Sequence, residues 1–187
     1  MQQQKILQKK YEGLTPDEKD ELSRLEESVE LEKAKPNIIG NFLSFVKYVW
    51  PEFIEGSHHK IINQKFNDLA AGKVKRLIIN MPPRHTKSEF ASYLLPAWMI
   101  GKDPKLKIIQ ATHTADLAID FGRKTKNLVD EPSYRELFST RLQEDSQAAG
   151  KWKTEQGGEY FAAGVGGAIT GRGANLLIID DPHKEQD

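Results

Sequence analysis

Cysteine is missing from all 187 residues, which excludes disulfides and thiolate metal sites and is compatible with an intracellular setting. Net charge is missing too. Lysines and arginines number 27, as do aspartates and glutamates, so charge gives no general attraction to nucleic acid, and any basic surface must be local. No apolar run nears the roughly 20 residues of a transmembrane helix. The polar start Met1-Gln2-Gln3-Gln4-Lys5 has no signal-peptide core. No repeat or low-complexity tract appears. The expectation is a soluble, cytosolic chain with no membrane partner, long enough for one well-buried domain.

What is there divides into a charged extension and an apolar remainder. Residues 1–36 are polar and charged. Within them Thr15 reads as an N-cap, Pro16 as the first helical residue and Glu18 as the closing member of a capping box. Leu22, Leu25 and Val29 give this helix only a narrow apolar stripe, which suits a surface or interdomain helix better than a coiled coil. Lys35-Pro36-Asn37 breaks the pattern, and the compact domain is expected over 37–187.

Ile38, Ile39, Phe42, Phe45, Val46 and Val49 follow a helical period stopped by Pro51. Ser57 is the expected cap of a second helix, with Ile61, Ile62, Phe66, Leu69 and Ala70 on one face and Gly72 past its end. His58 and His59 fall in its first turn, as solvent-exposed polar residues or as groups that hold a nucleotide base. Phe90, Tyr93, Leu94, Leu95, Trp98 and Met99 predict a buried helix kinked or ended near Pro96. Leu106–Ala111 reads as a strand, and Leu117, Phe121 and Leu128 as the helix after it. This alternation argues for a parallel sheet with helices on both faces, an α/β fold. Trp152, Tyr160 and Phe161 among glycine clusters predict a β-hairpin or meander and then a loop.

The chemistry is organised by two stretches. Arg76-Leu77-Ile78-Ile79-Asn80 reads as a strand, Met81-Pro82-Pro83-Arg84-His85-Thr86 as a turn, and Lys87-Ser88-Glu89 as the start of a helix. That is the order of a phosphate-binding loop, in which main-chain N–H groups and a helix N-terminus face an anion. Lys87 and Ser88 stand where the G-x-x-x-x-G-K-[ST] signature places its phosphate-binding lysine and its Mg²⁺-binding hydroxyl. Met81 and Thr86 stand where it has glycine, and Thr86 in a glycine-like conformation is strained by about 1–2 kcal/mol. Pro82 and Pro83 remove two N–H donors, and Arg84 offers a charged donor fork in their place.

The second stretch is Leu176-Leu177-Ile178-Ile179-Asp180-Asp181. Four apolar residues suit a central strand, whose C-terminal edge is where ligands of open α/β sheets bind. Asp180 is placed to share Mg²⁺ with Ser88 and the phosphates, and Asp181 to act on the attacking water. The ordinary alternative is a strand ending in a solvated Asp-Asp-Pro turn.

Together these residues resemble a family. Met81-Pro82-Pro83-Arg84-His85-Thr86-Lys87-Ser88 resembles the variant Walker A loop of the large terminase subunit of tailed bacteriophages, in which Pro-Pro-Arg-x-Gly-Lys-Ser is common. Gly167-Ala168-Ile169-Thr170-Gly171-Arg172-Gly173 and the strand ending Asp180-Asp181-Pro182 resemble that family's glycine–arginine segment and Walker B motif. The likeness runs from about Phe42 onward. It implies a RecA-like P-loop NTPase domain using ATP and Mg²⁺ to drive double-stranded DNA into a procapsid. It also implies a homo-oligomeric ring, a small terminase subunit and a portal protein as partners, and the host cytoplasm as location. Pro83, Arg84, His85, Thr86, Lys87 and Ser88 would hold the nucleotide, and Ser88 and Asp180 the metal. Arg84 would also assist the chemistry. Arg172, with Arg123 as second choice, would reach a neighbouring subunit's phosphates. The catalytic acid that follows the Walker B aspartate would be Asp181 or Glu185.

The chain stops at Asp187, just after that motif, so the fold is expected to be incomplete at its C-terminus. The family's nuclease domain would be absent and the isolated chain weakly active or inactive. The rival readings are another nucleic-acid-dependent ATPase, such as a helicase, and a truncated non-catalytic fragment.

Overall fold

The computed structural model describes residues 13–167 and 169–183. Glu185 lies outside the described residues. The chain divides after Asn37 into two units.

The first unit holds most of helix α1 (Pro16–Gly40). Its capping box forms as expected: the Glu18 N–H donates to Thr15 Oγ1 at 3.3 Å and the Thr15 N–H to Glu18 Oε2 at 2.8 Å. The Thr15 N–H, and then the Thr15 hydroxyl donating to Glu18 Oε2 at 2.9 Å, hold the Glu18 carboxyl below its ordinary range. The break expected at Lys35-Pro36-Asn37 does not occur, because α1 runs through Pro36. Proline withholds the N–H that would bond to the Glu32 carbonyl, but Glu32 and Pro36 are both exposed, and water can replace that bond.

The second unit begins with α2 (Phe42–Val49), capped by Asn41, whose side chain accepts from the Ser44 N–H. Next comes α3 (Ser57–Ala70), whose N-cap is Gly56 rather than Ser57. Ile62 and Phe66 are buried but Ile61 is exposed, so the apolar face of α3 is narrower than its spacing suggests. Gly72 follows with the positive φ, 71°, expected past a helix end. A π-helix (Glu89–Leu94) then runs directly into α4 (Leu95–Lys102). Phe42 stands edge-on to Phe66, Phe90 and Trp98, with ring centroids 4.9, 5.3 and 5.6 Å away. This aromatic cluster ties α2 and α3 to the helical run that follows Thr86.

The remaining elements are β1 (Lys107–Thr112), α5 (Ala115–Asp130), a short α6 (Pro132–Leu137), β2 (Leu142–Ala148), β3 (Lys151–Thr154), β4 (Glu159–Gly164) and β5 (Leu176–Asp180). The five strands form one sheet in the order β2-β3-β4-β1-β5. Strand β1 is parallel to both β4 and β5, while β2, β3 and β4 form an antiparallel meander. The fold is therefore α/β as expected, but its sheet is mixed rather than parallel. The short β2–β3 and β3–β4 connections can only reverse the chain.

Among the described residues, helix cover is seen on one face. Helix α5 and the π-helix pack on the face of Tyr160, Gln110 and Asp180: the Trp152 Nε1–H donates to the Gly122 carbonyl at 3.2 Å, and Ser92 reaches Asp180. A Cβ at Gly122 would lie 2.5 Å from the Ala149 carbonyl oxygen, so only glycine lets α5 approach the β2–β3 turn this closely. On the opposite face of β5, Leu177 and Ile179 stay 55% and 59% exposed.

The strand expected at Arg76–Asn80 is absent. That stretch has no ladder partner among the described residues, and Ile78 is 86% exposed. Three apolar residues become a strand only when they pair with a neighbouring edge, and among the described residues these make no such pairing.

Candidate phosphate and metal site

The site is assembled at the C-terminal ends of β1 and β5, where Thr112 and Asp180 are in register. Alternation along β5 buries Leu176, Ile178 and Asp180 on the helix-covered face. Asp180 is therefore almost enclosed, whereas Asp181, in the turn that follows, is mostly exposed. Asp181 has a φ of 42°, and its carbonyl accepts from the His113 N–H at 3.1 Å, which fixes the turn against the end of β1.

Ahead of the π-helix, the loop from Met81 to Thr86 turns through two left-handed residues that are not glycine, Arg84 at φ 62° and Thr86 at φ 63°. Lys87 and Ser88 begin the helical run, and the Phe90 N–H closes its first bond onto the Thr86 carbonyl at 2.9 Å. Thr86 thus adopts the backbone form that a glycine at this place would supply.

Lys87 bridges the two stretches. Its Nζ lies 3.1 Å from Asp180 Oδ1 and is hydrogen-bonded to Asp181 Oδ1. Partial burial works against the ammonium charge, but bonds from Asp181 and then Asp180 outweigh it and raise the Lys87 pKa above its ordinary value. The second oxygen of Asp180 is held from behind: the Ser92 hydroxyl donates to Oδ2 at 2.8 Å, and Gln110 Nε2 donates to Ser92 Oγ at 3.2 Å. Both Ser92 and Gln110 are fully buried.

Known proteins provide no guide: no family model, curated protein or solved structure matches this chain. The geometry alone identifies what the site offers. Ser88 and Arg84 have no side-chain partner among the described residues. Ser88, next in sequence to the lysine that meets Asp180, and the nearly buried Asp180 carboxylate are hard oxygen donors, the chemistry Mg²⁺ prefers. Among the described residues no group of three or more His, Asp or Glu could hold a metal alone. A metal here would need oxygens from phosphate and water, as Mg²⁺ ordinarily takes them. The residues present fit such a group.

The other candidates are scattered. His85 turns back on the loop, its Nδ1 2.8 Å from the Pro83 carbonyl. Arg172 is not at this end of the sheet. It stacks on Phe161, 3.8 Å from the ring centroid, and bonds to Glu159 Oε1 at 3.1 Å, at the opposite end of β4 from Gly164. Arg123 pairs with Asp120 on the surface of α5.

Sequence reasoning passed over Ser92 and Gln110. The signal was a lone polar residue inside an apolar helix and another inside an apolar strand. It also placed His59 at the surface, whereas the imidazole is 4% exposed and bonded to Thr86. Phe53 and Phe90 enclose it, with ring centroids 4.7 and 4.9 Å away.

Proposed function

We propose that the second unit is a P-loop ATPase of the terminase type, binding ATP with Mg²⁺ and hydrolysing it to move double-stranded DNA. The observation that carries this reading is the closure of Lys87 onto Asp180 and onto Asp181, the latter 94 residues away in sequence. It brings a phosphate-loop lysine and a strand-end carboxylate pair to one point, with glycine-like backbone at Thr86.

In this reading Ser88 and Asp180 hold the metal, which neutralises charge on the phosphate oxygens when bound. Lys87 changes partners, because an incoming phosphate competes with Asp181 for the ammonium. Once released, the exposed Asp181 carboxylate is free to orient a water or accept its proton. Arg84 adds a fork of donors on the solvent side of the loop. Ser92 and Gln110 keep Asp180 in one rotamer, as groups behind a metal ligand ordinarily do. Arg172 acts on a neighbouring subunit, since it lies away from its own chain's site. The ring, the small terminase subunit, the portal protein and the host cytoplasm belong to the same proposal.

Titration with a fluorescent ATP analogue and Mg²⁺ tests it. Saturable binding by the wild-type chain, lost in Lys87→Ala, is the expected result; binding that survives the substitution removes the assignment. One observation favours the non-catalytic alternative: residues 76–80 have no ladder bonds to stiffen the loop from behind. Binding without turnover would select that reading.

A further inference from the structure

The shape of the phosphate loop depends on a residue outside it. Thr86 has the left-handed backbone that glycine adopts freely and a β-branched residue resists. Its Oγ1 lies 2.8 Å from His59 Nε2 and 2.6 Å from the His85 carbonyl oxygen. The protons follow from the partners. His59 Nδ1 accepts from the Gly56 N–H at 2.8 Å, so the neutral ring carries its proton on Nε2 and donates it to Thr86. The Thr86 hydroxyl then donates to the His85 carbonyl. His59 is itself fixed by the turn that begins α3 and by the rings of Phe53 and Phe90.

We infer that His59 is a positioning residue for the phosphate loop: with the Thr86 hydroxyl it replaces the missing glycine, holding by hydrogen bonds a turn that glycine would adopt unaided. The consequence for nucleotide rests on the function proposed above; the hold on the loop does not. It follows that His59 matters only while residue 86 carries a hydroxyl.

Three variants separate these statements. His59→Phe keeps a ring between Phe53 and Phe90 but removes both hydrogen bonds. His59→Gln keeps a donor able to reach Thr86. Thr86→Gly removes the need for either. The readouts are hydrogen–deuterium exchange at the amides of residues 84–88 and affinity for the fluorescent ATP analogue with Mg²⁺. His59→Phe is expected to speed exchange at those amides and weaken binding about fivefold, the value of roughly one hydrogen bond. His59→Gln should recover part of both. In the Thr86→Gly background, adding His59→Phe should change neither.

Unchanged exchange in a folded His59→Phe chain overturns the inference, and so does an equal effect with and without Thr86→Gly. If the wild-type chain binds no analogue while exchange responds as expected, the functional reading falls and the hold of His59 on the loop stands. Should His59→Phe not fold, Thr86→Val strips the hydroxyl from the other side of the bond at unchanged shape, and the same exchange comparison decides.

Discussion

At the scale of the residue, three side chains carry testable consequences. Lys87→Ala should abolish nucleotide binding while leaving the fold, because Lys87 contributes ion pairs rather than packing and Asp180 keeps its Ser92 hydrogen bond. Circular dichroism and the analogue titration check both halves. Thr86→Gly is more balanced. It relieves about 1–2 kcal/mol of left-handed strain but discards two hydrogen bonds worth about 0.5–1.5 kcal/mol each. Nucleotide affinity should therefore change little; a gain of tenfold would show that the hydroxyl contributes nothing. His59 makes stability depend on pH. Burial, then the neighbouring His58, push its pKa below 6.5, Glu55 opposing and His85 adding to the fall. The unfolded chain then binds the proton more readily than the folded one. The stabilisation is complete above pH 6.5 and fades as pH falls toward the folded pKa. Urea midpoints measured between pH 5 and 8 should slope less for His59→Phe than for the wild type.

At the scale of the element, local signals were legible and long-range ones were not. The Thr15–Glu18 capping box spans four residues and could be read directly. So could Lys87-Ser88 and the Asp180-Asp181 strand end, because each motif is contiguous. The strand at 76–80 could not be judged, since strand formation depends on a partner edge and not on the apolar run itself. The His59–Thr86 bond joins residues 27 apart in sequence, and nothing in either stretch announces it. Gly122 is similar: its sequence context is an ordinary helix, yet it marks where α5 meets the turn after β2. Gly122→Ala should cost about 1–3 kcal/mol through overpacking against backbone, measured by urea unfolding. A neutral result would mean the helix shifts without penalty.

At the scale of the whole molecule, the sheet determines behaviour as much as the site does. β5 is an edge strand among the described residues, and Leu177 and Ile179 on its more exposed face, together with Ile78 in neither ladder nor core, leave apolar surface in water. Such an edge invites pairing with another copy. Replacing Leu177 and Ile78 by lysine should lower light scattering at high concentration and leave the urea midpoint nearly unchanged. The alternation of strands and helices was enough to infer an α/β fold. The hairpin or meander expected around Trp152, Tyr160 and Phe161 is there as β3 and β4; what the alternation could not show is that it joins the parallel strands in one mixed sheet, nor which face the described helices cover.

The π-helix at Glu89–Leu94 has an evolutionary consequence. Its wider bonding, seen where the Leu95 N–H reaches back five residues to Phe90, fits one more residue into the run than an α-helix would hold. Geometrically it is a single-residue insertion absorbed in place. A deletion at Ala91 should let the spiral close as regular α-helix, with Lys87 on one side and Trp98 on the other keeping their seats. Ser92 would be rotated off Asp180, however. Such a deletion variant should fold and keep its helical signal while losing the bond behind the aspartate. This stretch would then be a place where length can change by one residue without unfolding the chain, and where that change retunes the site.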